Sequence, residues 1–260
     1  MKRMARYISA AVFAGLVFVL LFAAYTSEAV KRSRVTCTGI EVAIADSLRN
    51  SFVSRADVLD CLKKEYGECT GRALDSIDLV KIEKAVDARS AVRKSEAYLT
   101  KDGILHVDVT QREPIVRFQK AGGGFYADEE GFLFPLQSTY TAHVPVIDGA
   151  IPLHVDSGYK GRPEDEKERE WTDRMTGLIK YMAGSGIWAQ NIVQITVLPG
   201  GDLVMIPREG KEKFLFGQPV KIKEKFRKME RYYTGIVPEK GKDFYSTVNL
   251  KYDRQIICRQ

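Results

Sequence analysis

The chain has 260 residues, 45% hydrophobic and 28% charged, and contains no repeat or low-complexity tract. About 230 residues follow its N-terminal apolar run, which is enough for one large or two small domains. Its formal net charge is +6, but the lysines and arginines are spread along the chain, with one denser stretch at Lys221 to Arg231. This pattern favours a solvated surface near anionic lipid over a nucleic-acid-binding protein.

The first element is an uncharged apolar run from Tyr7 to Tyr25. About 19 helical residues cross a hydrocarbon core about 30 Å thick. We therefore predict a transmembrane helix at 7–25, a cytoplasmic tail at 1–6 and a juxtamembrane linker at 26–34. The alternative is a cleaved signal peptide, but the run is long for one, and Ser27-Glu28-Ala29 is a poor cleavage site. Basic residues flank both ends, so the short tail is what favours a cytoplasmic N-terminus.

Residues 35–112 have the pattern of a β-α-α-β-β unit. Ser54 and Asp57 have the spacing of a capping box, with Asp in place of the usual Glu or Gln. Apolar and polar residues alternate from Leu105 to Thr110, as in a strand with one buried face. The predicted elements are a strand at Val35 to Ile44, a helix after Ser54, a helix at Asp78 to Ala88, and strands at Ala91 to Thr100 and Ile104 to Arg112.

Residues 113–260 predict a second, mostly antiparallel mixed β domain with two helices, so the chain as a whole is of the α+β class. Asp128-Glu129-Glu130-Gly131 is typical of a hairpin turn between short strands. The two helical stripes begin at Trp171 and Ile222, and the last alternating strand contains Val248, Leu250 and Tyr252.

The four cysteines are Cys37, Cys61, Cys69 and Cys258, and none forms a C-x-x-C motif. An oxidising compartment would permit disulfides. Cys61 and Cys69 could bridge a helix end to the following loop, but four cysteines allow three pairings, and the sequence does not choose among them.

Motifs for catalysis or cofactor binding are absent from the sequence. His106, His143 and His154 have no metal-ligand spacing, and no H-E-x-x-H, G-x-S-x-G, Walker or S-x-x-K motif occurs. We predict no catalytic residue, no cofactor, no metal site and no small-molecule substrate. An exported enzyme with an unrecognised site stays as an alternative.

Several short motifs resemble the FtsQ/DivIB family of bacterial cell division proteins, in order and over roughly the whole chain. The β-α-α-β-β segment resembles its POTRA domain, and the end of that segment resembles the family junction "V-x-E-R-x-P-V-A", with Gln111-Arg112-Glu113 departing in the acidic position. The other similar stretches are Phe125 to Phe134 ("Y-x-x-D-x-x-G-x-x-F"), Val144 to Gly149 ("L-P-x-I-x-G"), Phe216-Gly217 ("L-G"), Lys225 to Met229 ("K-L") and Val248 to Tyr252 ("I-D-L-R-Y").

The resemblance implies a non-catalytic scaffold of the inner membrane, with a cytoplasmic N-terminus and periplasmic domains. Its implied partners are FtsB and FtsL homologues and other divisome proteins at the septal peptidoglycan synthesis complex. The implied mode is β-augmentation, in which a partner strand adds to an open sheet edge. In the family that edge is the last strand, which we match here to Thr247, Val248, Asn249, Leu250, Lys251, Tyr252 and Asp253.

A second class of protein with a POTRA domain is a transport or outer-membrane assembly factor. Such a protein should continue into a long series of alternating membrane-spanning strands. Residues 115–260 are too few for that and carry two helical patterns, which favours the division scaffold.

Overall fold

The computed structural model describes residues 13, 15–23, 35–46 and 50–260. Residues 13 and 15–23 are helical and exposed, while the rest of the predicted span at 7–25 and the predicted linker at 26–34 lie outside the described residues. In the described part of the chain, no helix has the length and apolar character needed to cross a membrane.

The chain divides into two compact units between Gln111 and Arg112. The short segment Asn50–Phe52 belongs to the second unit, although it precedes most of the first in sequence.

The first unit has the predicted β-α-α-β-β order, with a three-stranded sheet ordered β1-β3-β2. Strand β3 is central, parallel to β1 and antiparallel to β2. The predicted capping box is confirmed, because Ser54 and Asp57 exchange side-chain-to-backbone hydrogen bonds at the start of α1. The elements are β1 (Gly39–Ile44), α1 (Arg55–Glu65), a 3₁₀ turn (Leu74–Ser76), α2 (Leu79–Asp87), β2 (Val92–Leu99) and β3 (Ile104–Gln111).

The second unit is a nine-stranded mixed sheet with two longer helices, which confirms the predicted α+β layout. Its strand order is β12-β11-β10-β9-β8-β7-β4-β5-β6. The strands are β4 (Pro114–Lys120), β5 (Gly123–Asp128), β6 (Leu133–Pro135), β7 (Val146–Gly149), β8 (Ile192–Val197), β9 (Leu203–Pro207), β10 (Lys213–Gly217), β11 (Thr247–Asn249) and β12 (Ile257–Arg259). The helices are α3 (Glu166–Gly184), α4 (Trp188–Asn191), α5 (Ile222–Arg231), a π-helix (Tyr232–Ile236) and α6 (Val237–Lys240).

The core of the second unit lies between the sheet and the helices α3 and α5. Met175 and Leu178 from α3 and Phe226 and Met229 from α5 pack with strand residues such as Ile195, and all five are buried. Because each helix has one apolar stripe, this packing buries that stripe and leaves the opposite face in water.

Two motif glycines occupy positions that require glycine. Gly149 has φ +88°, and a Cβ there would lie 2.3 Å from the carbonyl oxygen of Val197. Gly131 has φ +73° in the hairpin turn, where the Asp128 carboxylate accepts the N–H groups of Glu130 and Phe132. Backbone geometry therefore accounts for both motif positions.

All four cysteines are free thiols, so the bridge considered between Cys61 and Cys69 is not present. The Cys61 thiol is directed to the carbonyl of Ala85 on α2. Cys69 instead lies near Cys37, because the backbone of Cys37 pairs with that of Gly71 and Arg72.

Candidate partner-binding edge

The predicted partner strand is not at the edge of the sheet. Thr247–Asn249 forms β11, which pairs in parallel with β10 on one side and antiparallel with β12 on the other. Our expectation of a free edge at residues 247–253 is therefore wrong in its geometry. The reason is that the chain turns after Leu250 and returns as Ile257–Arg259, which covers that side.

The two ends of the large sheet differ in how open they are. At one end, Leu133 in β6 exchanges backbone hydrogen bonds of 2.8 and 2.9 Å with Gly161, and Pro135 has no N–H to donate. At the other end, β12 has β11 on its inner side, and in the part of the chain that the structure describes no strand pairs on its outer side. Strand β12 is therefore the open edge.

The ladder between β10 and β11 determines which backbone groups face outward. The N–H of Lys213 donates to the carbonyl of Ser246 at 2.9 Å, and the N–H of Leu250 donates to the carbonyl of Leu215 at 3.0 Å. The Ser246 carbonyl and the Leu250 N–H thus face β10, whereas the Ser246 N–H donates to the carbonyl of Arg259 on the β12 side at 2.8 Å. Since backbone groups alternate in direction along a strand, Val248 also faces β10.

It follows that Thr247 and Asn249 face β12, where they are paired with Arg259 and Ile257. The backbone hydrogen bonds between β11 and β12 thus use the N–H and C=O groups of Ile257 and Arg259. The N–H and C=O of Cys258 therefore point away from the sheet, and with respect to the described residues they are the central unpaired groups of the open edge.

The side chains of β12 alternate as well. Cys258 packs against the hydrophobic core, and this burial raises the pKa of its thiol. Ile257 and Arg259 are exposed on the opposite face. A partner strand would thus meet backbone at the edge, and an apolar and a cationic side chain on one face.

The turn between β11 and β12 contains the remaining predicted site residues. The alternation predicted for Val248, Leu250 and Tyr252 stops at Leu250: the first two are fully buried, whereas Tyr252 is 52% exposed. Asp253 pairs with Lys221 at 2.9 Å. Tyr252 is therefore a surface residue, not a core tyrosine.

Lys251 in the same turn bonds to Asp202 at 2.7 Å. This hydrogen bond raises the pKa of the Lys251 ammonium and lowers that of the Asp202 carboxyl. The charges of Lys251 and Asp253 are therefore engaged within the chain, and they position the turn that leads to the open edge.

A basic groove lies beside this edge. Its cavity of about 380 Å³ is lined by Glu224, Arg227, Lys228, Arg231, Arg254 and Ile256. Four of these six side chains are cationic, and Arg227, Arg231 and Arg254 are exposed. The groove would complement acidic residues on a strand or helix that continues from the edge.

Sequence reasoning missed β12 because three residues are too few to show a period of two. The pair Ile256-Ile257, two β-branched residues directly after a turn, was the available signal. The basic groove was also missed, because it combines the exposed face of α5 with a turn more than twenty residues later.

The two units match known domain families. Residues 113–259 match the profile described as FtsQ/DivIB, C-terminal related, and residues 35–110 match that of the POTRA-like domain. A search of curated proteins finds no match.

Proposed function

The chain belongs to the FtsQ/DivIB family, and on that premise we propose that it is a non-catalytic, membrane-anchored scaffold of the bacterial division machinery. Membership gives it a role in cell division, and proteins of this family are generally non-catalytic. It recruits FtsB and FtsL homologues to the septal peptidoglycan synthesis complex. The apolar run at 7–25 anchors it in the inner membrane, with residues 1–6 in the cytoplasm and both units in the periplasm.

The open edge at β12 carries this proposal. A segment of the FtsB homologue adds to the sheet as a further strand and bonds to the outward N–H and C=O of Cys258. Such β-augmentation derives affinity from main-chain hydrogen bonds and specificity from flanking side chains. The docking position thus moves from Thr247–Asn249 to Ile257–Arg259, and residues 250–253 form its flank.

The basic groove supports the same partner. An open edge accepts any extended chain, so the flanking charges decide which strand binds. Arg227, Arg231 and Arg254 favour a partner with carboxylates next to its docking strand, and they repel a basic one.

Proline at position 258 tests the direction of the edge. Cys258→Pro removes the outward N–H and leaves the inward N–H groups of Ile257 and Arg259 in place. We expect it to weaken binding of the periplasmic segment of the FtsB homologue by about tenfold or more, because a carbonyl of the partner strand loses its donor. A tenfold loss of affinity corresponds to about 1.4 kcal/mol. Isothermal titration calorimetry on the detergent-solubilised full chain measures the dissociation constant.

Two variants separate this effect from unfolding. Cys258→Ala loses the same partly buried thiol but keeps the N–H, so it should bind like the unmutated chain. Arg259→Pro removes an inward donor, so it should lower the denaturation midpoint of the second unit. If Cys258→Pro folds and binds as well as Cys258→Ala does, the partner does not dock on this edge.

Tyr252 tests the flank of the same site. A large, exposed tyrosine beside a docking strand has the profile of a binding hot spot. Tyr252→Ala should cost about 2 kcal/mol or more of binding free energy and leave the melting temperature nearly unchanged. Normal binding by this variant would show that Tyr252 is not part of the interface.

A peptidoglycan hydrolysis assay on the same preparation tests the non-catalytic role and should show no turnover.

A further inference from the structure

A second cavity in the C-terminal unit has aromatic walls. It has a volume of about 470 Å³, and its walls include Ile187, Trp188, Pro207, Tyr232, Tyr233 and Val237. None of its lining residues belongs to β12 or to the basic groove. Its size and apolar lining are typical of a ligand pocket.

The aromatic walls are preformed. The Tyr233 ring packs at 6.3 Å from that of Trp188 and at 5.8 Å from that of Phe214, measured between centroids. Tyr232 and Tyr233 begin the π-helix, and the wider turn of a π-helix recurs at functional sites. Trp188 and Tyr232 are buried, and burial raises the pKa of Tyr232 to about 12.

The cavity is negative although the chain is positive. Its lining contains one lysine, Lys242, and four carboxylates, those of Glu209, Glu212, Glu230 and Asp243. Lys242 pairs with Glu209 at 3.3 Å, in a contact where both side chains are largely exposed. The Asp243 carboxylate accepts the backbone N–H of Lys211 at 2.9 Å, and in the described part of the chain no other cationic side chain lines the cavity, so its lining keeps an excess of negative charge.

Glu212 is the unusual member of this group. It is only 4% exposed, and its Oε1 accepts a hydrogen bond of 2.8 Å from the Tyr233 hydroxyl. Among the described residues, no lysine, arginine or histidine nitrogen lies within 4.0 Å of it. Glutamate is almost never fully buried unless it is paired, and one hydroxyl donor leaves most of its acceptor capacity unused.

We propose that this cavity binds the side chain of an arginine presented by a partner protein. The guanidinium pairs with Glu212, and the planar group and its aliphatic stem lie against Trp188 and Tyr233. Arginine fits better than lysine because it stacks on aromatic faces and can bond a carboxylate through two nitrogens. A bare metal ion fits poorly, since among the described residues no three His, Cys, Asp or Glu side chains are placed so that they could hold one ion together.

Two small probes test this proposal on the unmutated full chain in detergent. N-acetyl-arginine amide carries the proposed group, and N-acetyl-citrulline amide has nearly the same shape without the charge. The readout is the indole N–H signal of Trp188 in the ¹⁵N-tryptophan spectrum, with Trp171, which is outside the lining, as internal reference. We expect a saturable shift of Trp188 with the arginine probe at about millimolar concentration, and about tenfold weaker binding of citrulline.

Glu212→Gln tests the pairing itself. The amide keeps the size of the side chain and an acceptor for Tyr233, but removes the charge, so the preference for arginine over citrulline should be lost. Glu239→Gln, an exposed site outside the cavity, makes the same change in net charge and should retain the preference.

The proposal is overturned by equal binding of the two probes, by the absence of a saturable shift, or by an unchanged preference in Glu212→Gln. If Glu212→Gln does not fold, the probe pair on the unmutated chain decides alone. These outcomes are separate from those at the β12 edge.

Discussion

Lys228 is a buried lysine that holds the turn before the open edge. Its side chain lies on α5, and the residue is 6% exposed. Its ammonium donates to the carbonyls of Leu250 at 3.3 Å and Tyr252 at 2.7 Å, and lies 3.5 Å from Glu224. One side chain thus satisfies two carbonyls that have left the β11 ladder, which is the usual condition for burying polar groups.

Lys228→Met should therefore destabilise the second unit by about 1–3 kcal/mol, because it leaves these carbonyls without their donor. Chemical denaturation measures the change in the free energy of unfolding. Lys223→Met, on the exposed face of the same helix, removes the same charge and should have little effect. Equal stability of the two variants would mean that water replaces the ammonium at no cost.

At the scale of the element, the start of α1 depends on a reciprocal pair of hydrogen bonds. The Asp57 carboxylate accepts the backbone N–H of Ser54 at 2.9 Å, and the Ser54 hydroxyl accepts the N–H of Asp57 at 3.1 Å. The Ser54 hydroxyl also donates to the Asp57 carboxylate at 2.6 Å, and this bond, followed by the one from the Ser54 N–H, lowers the pKa of Asp57. This cap supplies partners for N–H groups that have none inside the helix.

Ser54→Ala should destabilise the first unit by about 1 kcal/mol at neutral pH. Because folding lowers the pKa of Asp57 from 3.8, its contribution is fully present above that pH and is lost as the pH falls through the lower, folded value. The difference from the unmutated chain should shrink over that acidic range. Denaturation curves across it, with exposed Ser157→Ala as control, measure this. A difference that is independent of pH would contradict the role of Asp57.

At the scale of the whole molecule, the predicted architecture is two folded units after one anchor. The central strand of the first unit, β3, has a partner on both sides, which protects its backbone from a protease. The anchor at 7–25 and the linker at 26–34 remain sequence predictions.

We expect the full-length chain, with an N-terminus near Met1, in the membrane fraction. Limited proteolysis should cut first within 26–34 and spare residues 104–109, because a paired central strand has to unfold before it is cleaved. Mass spectrometry of the fragments identifies both sites. A mature soluble form beginning near residue 30 would contradict the anchor, and an early cut inside β3 would contradict the β-α-α-β-β unit.

The sequence by itself determined the features that depend on neighbouring residues. The capping box at Ser54 follows from two side chains three residues apart, and the strand at residues 104–111 follows from the alternation of apolar and polar side chains. The hairpin turn at Asp128 to Gly131 follows from turn-forming residue types, and Gly131 there has φ +73°. Local hydrogen bonding and a period of two or 3.6 encode such features directly.

Only the tertiary structure decided the features that join distant segments. Strand β12 exists because Ile257–Arg259 finds a partner in β11, and three residues cannot specify that pairing alone. The buried Glu212 meets Tyr233 across 21 positions, and Lys228 meets the turn at Tyr252 across 24. Burial and pairing are properties of the packed chain, so the open edge and the acidic aromatic cavity appear only when the sheet and helices have assembled.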